Sequence, residues 1–92
     1  MARRPVLVLT RPEAVHRLPR ILVAPATTRV RGLPSEVDLD QTDGLPRACV
    51  LNLDTPELVP PAALTDYIST LGAHRWGEVC TALERAVNCG PR

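Results

Sequence analysis

Aromatic residues are almost missing from this 92-residue chain: phenylalanine is absent, and Tyr67 and Trp76 stand alone. A surface that grips nucleic-acid bases by stacking needs several aromatic platforms, so stacking is not expected to supply much affinity here. Trp76 lies on a helical stripe and is expected in the core or at a dimer interface. Lysine is also absent, so every basic side chain is a guanidinium. No apolar run is long enough to cross a bilayer, which argues against a membrane role. The run after the basic start, Val6-Leu7-Val8-Leu9, is too short for a secretory signal. The three cysteines, Cys49, Cys80 and Cys89, show neither CxxC nor Cys-His spacing, and an odd number argues against a disulfide framework. They suit a reduced, cytoplasmic protein in which cysteine serves as a small apolar residue. His16 and His74 are isolated in sequence and are expected at the surface. No metal or other cofactor is expected.

Ninety-two residues suit one domain, 1–92, and a hydrophobic share of 45% is that of a globular protein. A chain this short buries a modest core and gains from dimerising. The net charge of +1 hides a division. Residues 1–31 hold seven arginines and one acid, Glu13, for +6; residues 32–92 hold four arginines and nine acids, for −5. A basic third beside an acidic remainder suggests a surface that attracts an anion, against the alternative that the asymmetry is accidental.

Residues 4–10 read as a strand, continuous enough in apolar character for burial on both faces, with Pro5 tolerated at its start. Pro12, at a first-turn position, opens one helical turn over 12–15, and Pro19 closes the segment. A second strand spans 20–26. Gly32-Leu33-Pro34 is a turn, and 35–39 alternate, with Glu36 and Asp38 outward and Val37 and Leu39 inward. Asp43-Gly44-Leu45-Pro46 is a further turn. Strands follow at 48–53 and 58–59, a short turn at 61–64, and a last strand at 66–69. Residues 73–88 predict a helix, with Trp76, Val79, Cys80, Leu83 and Val87 as its apolar stripe and Arg75, Glu78 and Arg85 facing away. Gly90 and Pro91 end it. The pattern predicts a mainly β fold, a small, strongly bent antiparallel sheet or partly open barrel, with a C-terminal α-helix.

Residues 20–40 carry the chemistry. A buried strand, Ile21-Leu22-Val23-Ala24, leads to two hydroxyls, Thr27 and Thr28, and two guanidiniums, Arg29 and Arg31. Arginine offers a planar fork of donors matched to phosphate oxygens, and a threonine hydroxyl adds one more. The plainer alternative is an arginine-rich loop between two strands.

Taken in order, Arg4-Pro5-Val6-Leu7-Val8, Val23-Ala24-Pro25-Ala26-Thr27-Thr28, Arg31-Gly32-Leu33-Pro34-Ser35-Glu36-Val37, and Gly44-Leu45-Pro46 with Cys49-Val50-Leu51-Asn52-Leu53-Asp54 resemble the MazF/PemK toxins. The likeness runs over residues 4–89. It implies an SH3-like barrel with a terminal helix, usually a homodimer, acting as the toxin of a type II toxin–antitoxin pair. It implies a cytoplasmic endoribonuclease, an mRNA interferase, that cuts single-stranded RNA without a metal by attack of the 2′-hydroxyl on the adjacent phosphate. The family's catalytic arginine falls on Arg4 and its hydroxyl on Thr27; Thr28, Arg29 and Arg31 would bind RNA phosphates. An acidic, MazE-like antitoxin is the implied partner. Two other readings share the fold: a toxin that binds DNA gyrase without catalysis, and an inactive module that only binds RNA or antitoxin. At the level of the residues, Arg4 could also be a solvated strand-end arginine, and Thr27 a turn hydroxyl bonded to its own backbone. The resemblance departs at the start, where the family places an R-G-D/E-x-W strand and a covering loop ahead of R-P-V. That loop can bring an acid to the site, and Glu13 is the one acid in the first third. Either this is a shortened branch of the family, or a partner or second subunit covers the open strand edge.

Overall fold

Strand β2 (Ile21–Thr27) is the element to which the rest of the sheet is fitted. In a computed structural model, which describes residues 4–90, β1 (Val6–Val8) lies along one edge of β2. On the other edge β2 pairs first with β5 (Glu57–Val59), through residues 21–23, and then with β4 (Cys49–Asn52), through Ala26 and Thr27. β3 (Glu36–Leu39) pairs with β4, and all pairings are antiparallel. The basic start at residues 1–3 and the stop signal at residue 91 lie outside the described residues.

The switch of partners is set by Pro25. Ala26 donates to the Pro5 carbonyl at 3.0 Å, so the nitrogen of its neighbour Pro25 points to the opposite edge. That nitrogen has no hydrogen, so the β2–β4 ladder ends where it would need one. The proline therefore falls between the residues paired with β5 and those paired with β4.

One face of the sheet presents Ala24, Ala26, Val37, Leu39, Cys49, Leu51 and Leu53, which pack with Leu71 and with Val79 and Ala82 of the helix α1 (Trp76–Val87). Burying a leucine or valine side chain in this way contributes roughly 1.5–3 kcal/mol. The expected fold class, mainly β with a C-terminal helix, is the observed one.

Four details differ. β1 is a half-buried edge strand with one neighbour, so its apolar run is not buried on both faces. Residues 66–69 form no strand; Tyr67 and Ile68 are exposed, and the segment is tied down by Ser69, whose hydroxyl donates to the Asp43 carbonyl at 3.0 Å. On α1, Cys80 and Val87 are exposed, and Ala82 and Ala86 take their places against the sheet. Arg75 does not face away but reaches inward to bond Asp43, Glu78 and the Asp38 carbonyl.

The turn at Asp43-Gly44 is built as its sequence suggests, and more firmly. Asp40 caps the 3-10 turn Gln41–Asp43, its side chain accepting from the Thr42 amide, while its own amide donates to the Asp43 carboxylate. Gly44 ends the turn at φ +88, and an added Cβ would strike the Ser69 side chain.

Cys49 is buried, as expected of a small apolar residue, whereas Cys80 and Cys89 are exposed, and all three are free thiols. Burial pushes the Cys49 thiol up from its ordinary value, and the charge of Asp43 adds to this. Thiolate is the reactive form, so a thiol reagent should modify Cys80 and Cys89 in the folded protein and reach Cys49 only on unfolding. Counting reactive thiols before and after adding denaturant checks this; rapid labelling of Cys49 in the native state would contradict it.

Candidate active site

The first candidate pair is brought together by strand register. Val6 lies opposite Pro25, and the Ala26–Pro5 hydrogen bond carries that register one step further. One more step sets Arg4 opposite Thr27. Residues directly opposite in an antiparallel pair share a face, with Cβ atoms roughly 4.5–5.5 Å apart. On the other edge of β2, Thr27 lies opposite Val50, and Val50 opposite Asp38. Thr27, Val50 and Asp38 thus form one row across three strands, and Arg4, just ahead of β1, extends its line. The row occupies the face turned away from the helix-packed residues, because Ala26 and Leu51, the neighbours of Thr27 and Val50, face the helix.

Within the row, Arg4 and Asp38 are exposed, Thr27 is half-buried and Val50 is buried. The row is therefore accessible at Asp38 and, on the other side of Val50, at the Arg4–Thr27 end. Thr28, Arg29 and Arg31 continue from it, all exposed, on a loop with no regular structure. Asp38 was legible as an outward residue, but its place in line with Arg4 and Thr27 depends on pairings between distant strands. Glu13 is not in the row; it pairs with Arg11 at 3.5 Å on the surface.

Thr27 does bond its own backbone neighbourhood: its Oγ1 accepts from the Arg29 amide at 3.1 Å. That does not exhaust the hydroxyl, which has one hydrogen to donate and a second lone pair. The same bond that shapes the turn orients the oxygen, and the hydrogen can be given to a ligand oxygen. A guanidinium and a hydroxyl donor are each able to bond an oxygen of a tetrahedral anion.

Glu36, expected to point outward, accepts from the Arg31 amide at 3.2 Å through each carboxylate oxygen and from the Leu33 amide at 3.1 Å. Nothing in composition signalled this; the turn spacing around Gly32 was the available clue. Among the described residues, no cluster of histidine, cysteine or acidic side chains is arranged to hold a metal ion, and no helix is long and apolar enough to cross a membrane.

Residues 1–87 match the family described as PemK-like, MazF-like toxin of type II toxin–antitoxin systems. The chain is 49% identical over 90 residues to a protein of Mycobacterium tuberculosis named probable endoribonuclease MazF5, covering 97% of this chain and 83% of that one. Among solved structures, the Mycobacterium tuberculosis toxin MazF-mt6 superposes with a TM-score of 0.90 at 35% identity, covering 96% of this chain and 89% of the other. A mycobacterial endoribonuclease in complex with its cognate antitoxin has the same fold, with a TM-score of 0.85 at 21% identity, over 97% of this chain and 84% of that one.

Proposed function

The chain belongs to the PemK-like, MazF-like toxins of type II toxin–antitoxin systems, and on that premise we propose that it is an endoribonuclease, an mRNA interferase, whose site is the Arg4–Thr27 end of the sheet row. The observation that supports the site is the register of β1 on β2: carried two residues ahead of Val6, past the Ala26–Pro5 hydrogen bond, it brings Arg4 to the level of Thr27.

The reaction is internal attack. The 2′-oxygen of a ribose bonds to the adjacent phosphorus and gives up its proton. The P–O5′ bond breaks and the 5′-oxygen takes a proton, leaving a 2′,3′-cyclic phosphate and a 5′-hydroxyl. Between these events the phosphorus carries five oxygens and extra negative charge. Arg4 stabilises that charge; a guanidinium holds its own proton tightly and so acts by field and hydrogen bonding. Thr27 donates its hydroxyl hydrogen to a nonbridging oxygen. Thr28, Arg29 and Arg31 take flanking phosphates, which positions the strand without reading its sequence.

The partner is a cognate antitoxin whose acidic segment lies across the basic third of the chain. The working form is a cytoplasmic homodimer, which also covers strand edges that a monomer leaves open.

Incubating the protein with a long RNA and mapping the ends tests the proposal. The expected products carry 5′-hydroxyls at a short recurring sequence, and cleavage continues undiminished when EDTA removes divalent ions. RNA left intact by folded protein would overturn the reading. Cleavage that stops in EDTA and returns with added metal would overturn the metal-free mechanism.

A further inference from the structure

The loop over residues 28–33 carries Arg29 and Arg31 yet buries almost nothing; every residue in it is exposed, Val30 and Leu33 included. A loop without a packed side chain owes its shape to hydrogen bonds. At its start the bond is the one from the Arg29 amide to Thr27 Oγ1. At its end three bonds converge on the Glu36 carboxylate, two from the Arg31 amide and one from Leu33, while the Glu36 amide donates back to the Leu33 carbonyl at 3.0 Å. Gly32 lies between the two donors at φ +71, the left-handed turn that points successive N–H groups into one anion-binding concavity. Open space surrounds the position a Cβ would take there, so the backbone angle alone calls for glycine.

The carboxylate is held from behind. Glu36 pairs with Asn52 in the sheet, the Leu53 amide donates to the Ser35 carbonyl at 3.0 Å, and the buried Ser35 donates its hydroxyl to Asp54. The Glu36 carboxylate thus reaches from strand β3 into an exposed turn and fastens it.

We infer that Glu36 is a positioning residue for RNA: its carboxylate, seated on the amides of Arg31 and Leu33, sets the loop so that Arg29 and Arg31 meet the phosphates beside the scissile one. This rests on the ribonuclease reading above. It also explains how an acid is tolerated beside an anionic substrate: its charge is taken up by backbone donors within the loop.

The test compares wild type with Glu36→Ala and Glu36→Gln, using a short RNA substrate and amide hydrogen exchange. Glu36→Ala should raise KM by about ten-fold, the effect of a lost charge-assisted contact, and leave kcat within about three-fold. The Arg31 and Leu33 amides should exchange faster in the same variant. Glu36→Gln, which keeps one acceptor oxygen, should restore part of both. Unchanged exchange would show that the bonds do not shape the loop. Faster exchange with unchanged KM would show that loop order does not serve RNA, and tighter RNA binding would show that the acid repels it; each overturns the inference. If wild type cuts no RNA, the ribonuclease reading fails in that lane. The positioning role is then read from binding of a 2′-deoxy oligonucleotide, which should weaken in Glu36→Ala; unchanged binding overturns it.

Discussion

Replacing Arg4 by alanine should lower kcat for RNA cleavage by about 10²–10³-fold, the loss found when one donor aimed at developing charge is removed. The reasoning is local. Arg4 is exposed, so it stabilises the fold little, and the β1–β2 register continued past Pro5 brings it toward Thr27. Arg4→Lys should recover only part of the rate, because an ammonium is a point charge and lacks the planar fork that spans two phosphate oxygens. Thr27→Val, close in shape but without the hydroxyl, should also slow cleavage. Single-turnover cleavage of a short RNA, with thermal melts as a control for folding, decides the matter. Arg4→Ala cleaving at the wild-type rate would remove that arginine from the site.

The largest effect on stability is expected from Arg75→Ala, a loss of about 3 kcal/mol. Arg75 Nη1 contacts both carboxylate oxygens of Asp43, at 2.7 and 2.9 Å, and Nη2 donates to the Asp38 carbonyl at 2.6 Å. The third contact, from Nε, goes to Glu78. The Glu78 bond, and then Asp43, hold the guanidinium protonated even beyond its ordinary range, against the opposing effect of burial. The Arg75 and Asp43 side chains are only 17% and 7% exposed, so losing the arginine leaves a nearly buried carboxylate without its counter-charge. For a domain of this size the loss corresponds to a fall in Tm of roughly 12–24 °C. Thermal melts of Arg75→Ala, Asp43→Ala and the double variant check it. The double variant should be much less damaged than the two single losses added together, since it buries no unpaired charge. Additive losses would mean that the pair does not act as a unit.

The strands were legible where local pattern decides them. Residues 35–39 alternate, and the observed strand faces Val37 and Leu39 inward as the alternation requires. The glycine turn at residue 44 and the terminal helix were equally plain, because turn chemistry and a 3.6-residue stripe are local properties. The errors arose where a decision belongs to distant partners. Tyr67 and Ile68 have strand propensity, but no neighbouring edge pairs with them, so propensity is overridden. The three- and four-residue spacing of Trp76, Val79, Cys80, Leu83 and Val87 predicts one apolar stripe. Small alanines at 82 and 86 face the sheet, which leaves Cys80 and Val87 outside. Arg75 looked like a solvated helix residue because Asp43 is 32 positions away in sequence.

The proposed site shows the same division. Thr27 and the arginines after it could be picked out by residue type at a strand end, and Arg4 through the family resemblance. That Arg4 lines up with Thr27 depends on pairing across the whole first turn, and the work of Glu36 depends on a left-handed glycine whose neighbours supply the donors.

Pro25 makes β2 a shared rod, with one ladder on its early half, another on its last two residues, and β1 alongside. Neither ladder can melt alone without loosening the rod that the other is built on. Partial opening therefore offers little relief, and the sheet should come apart as one cooperative event.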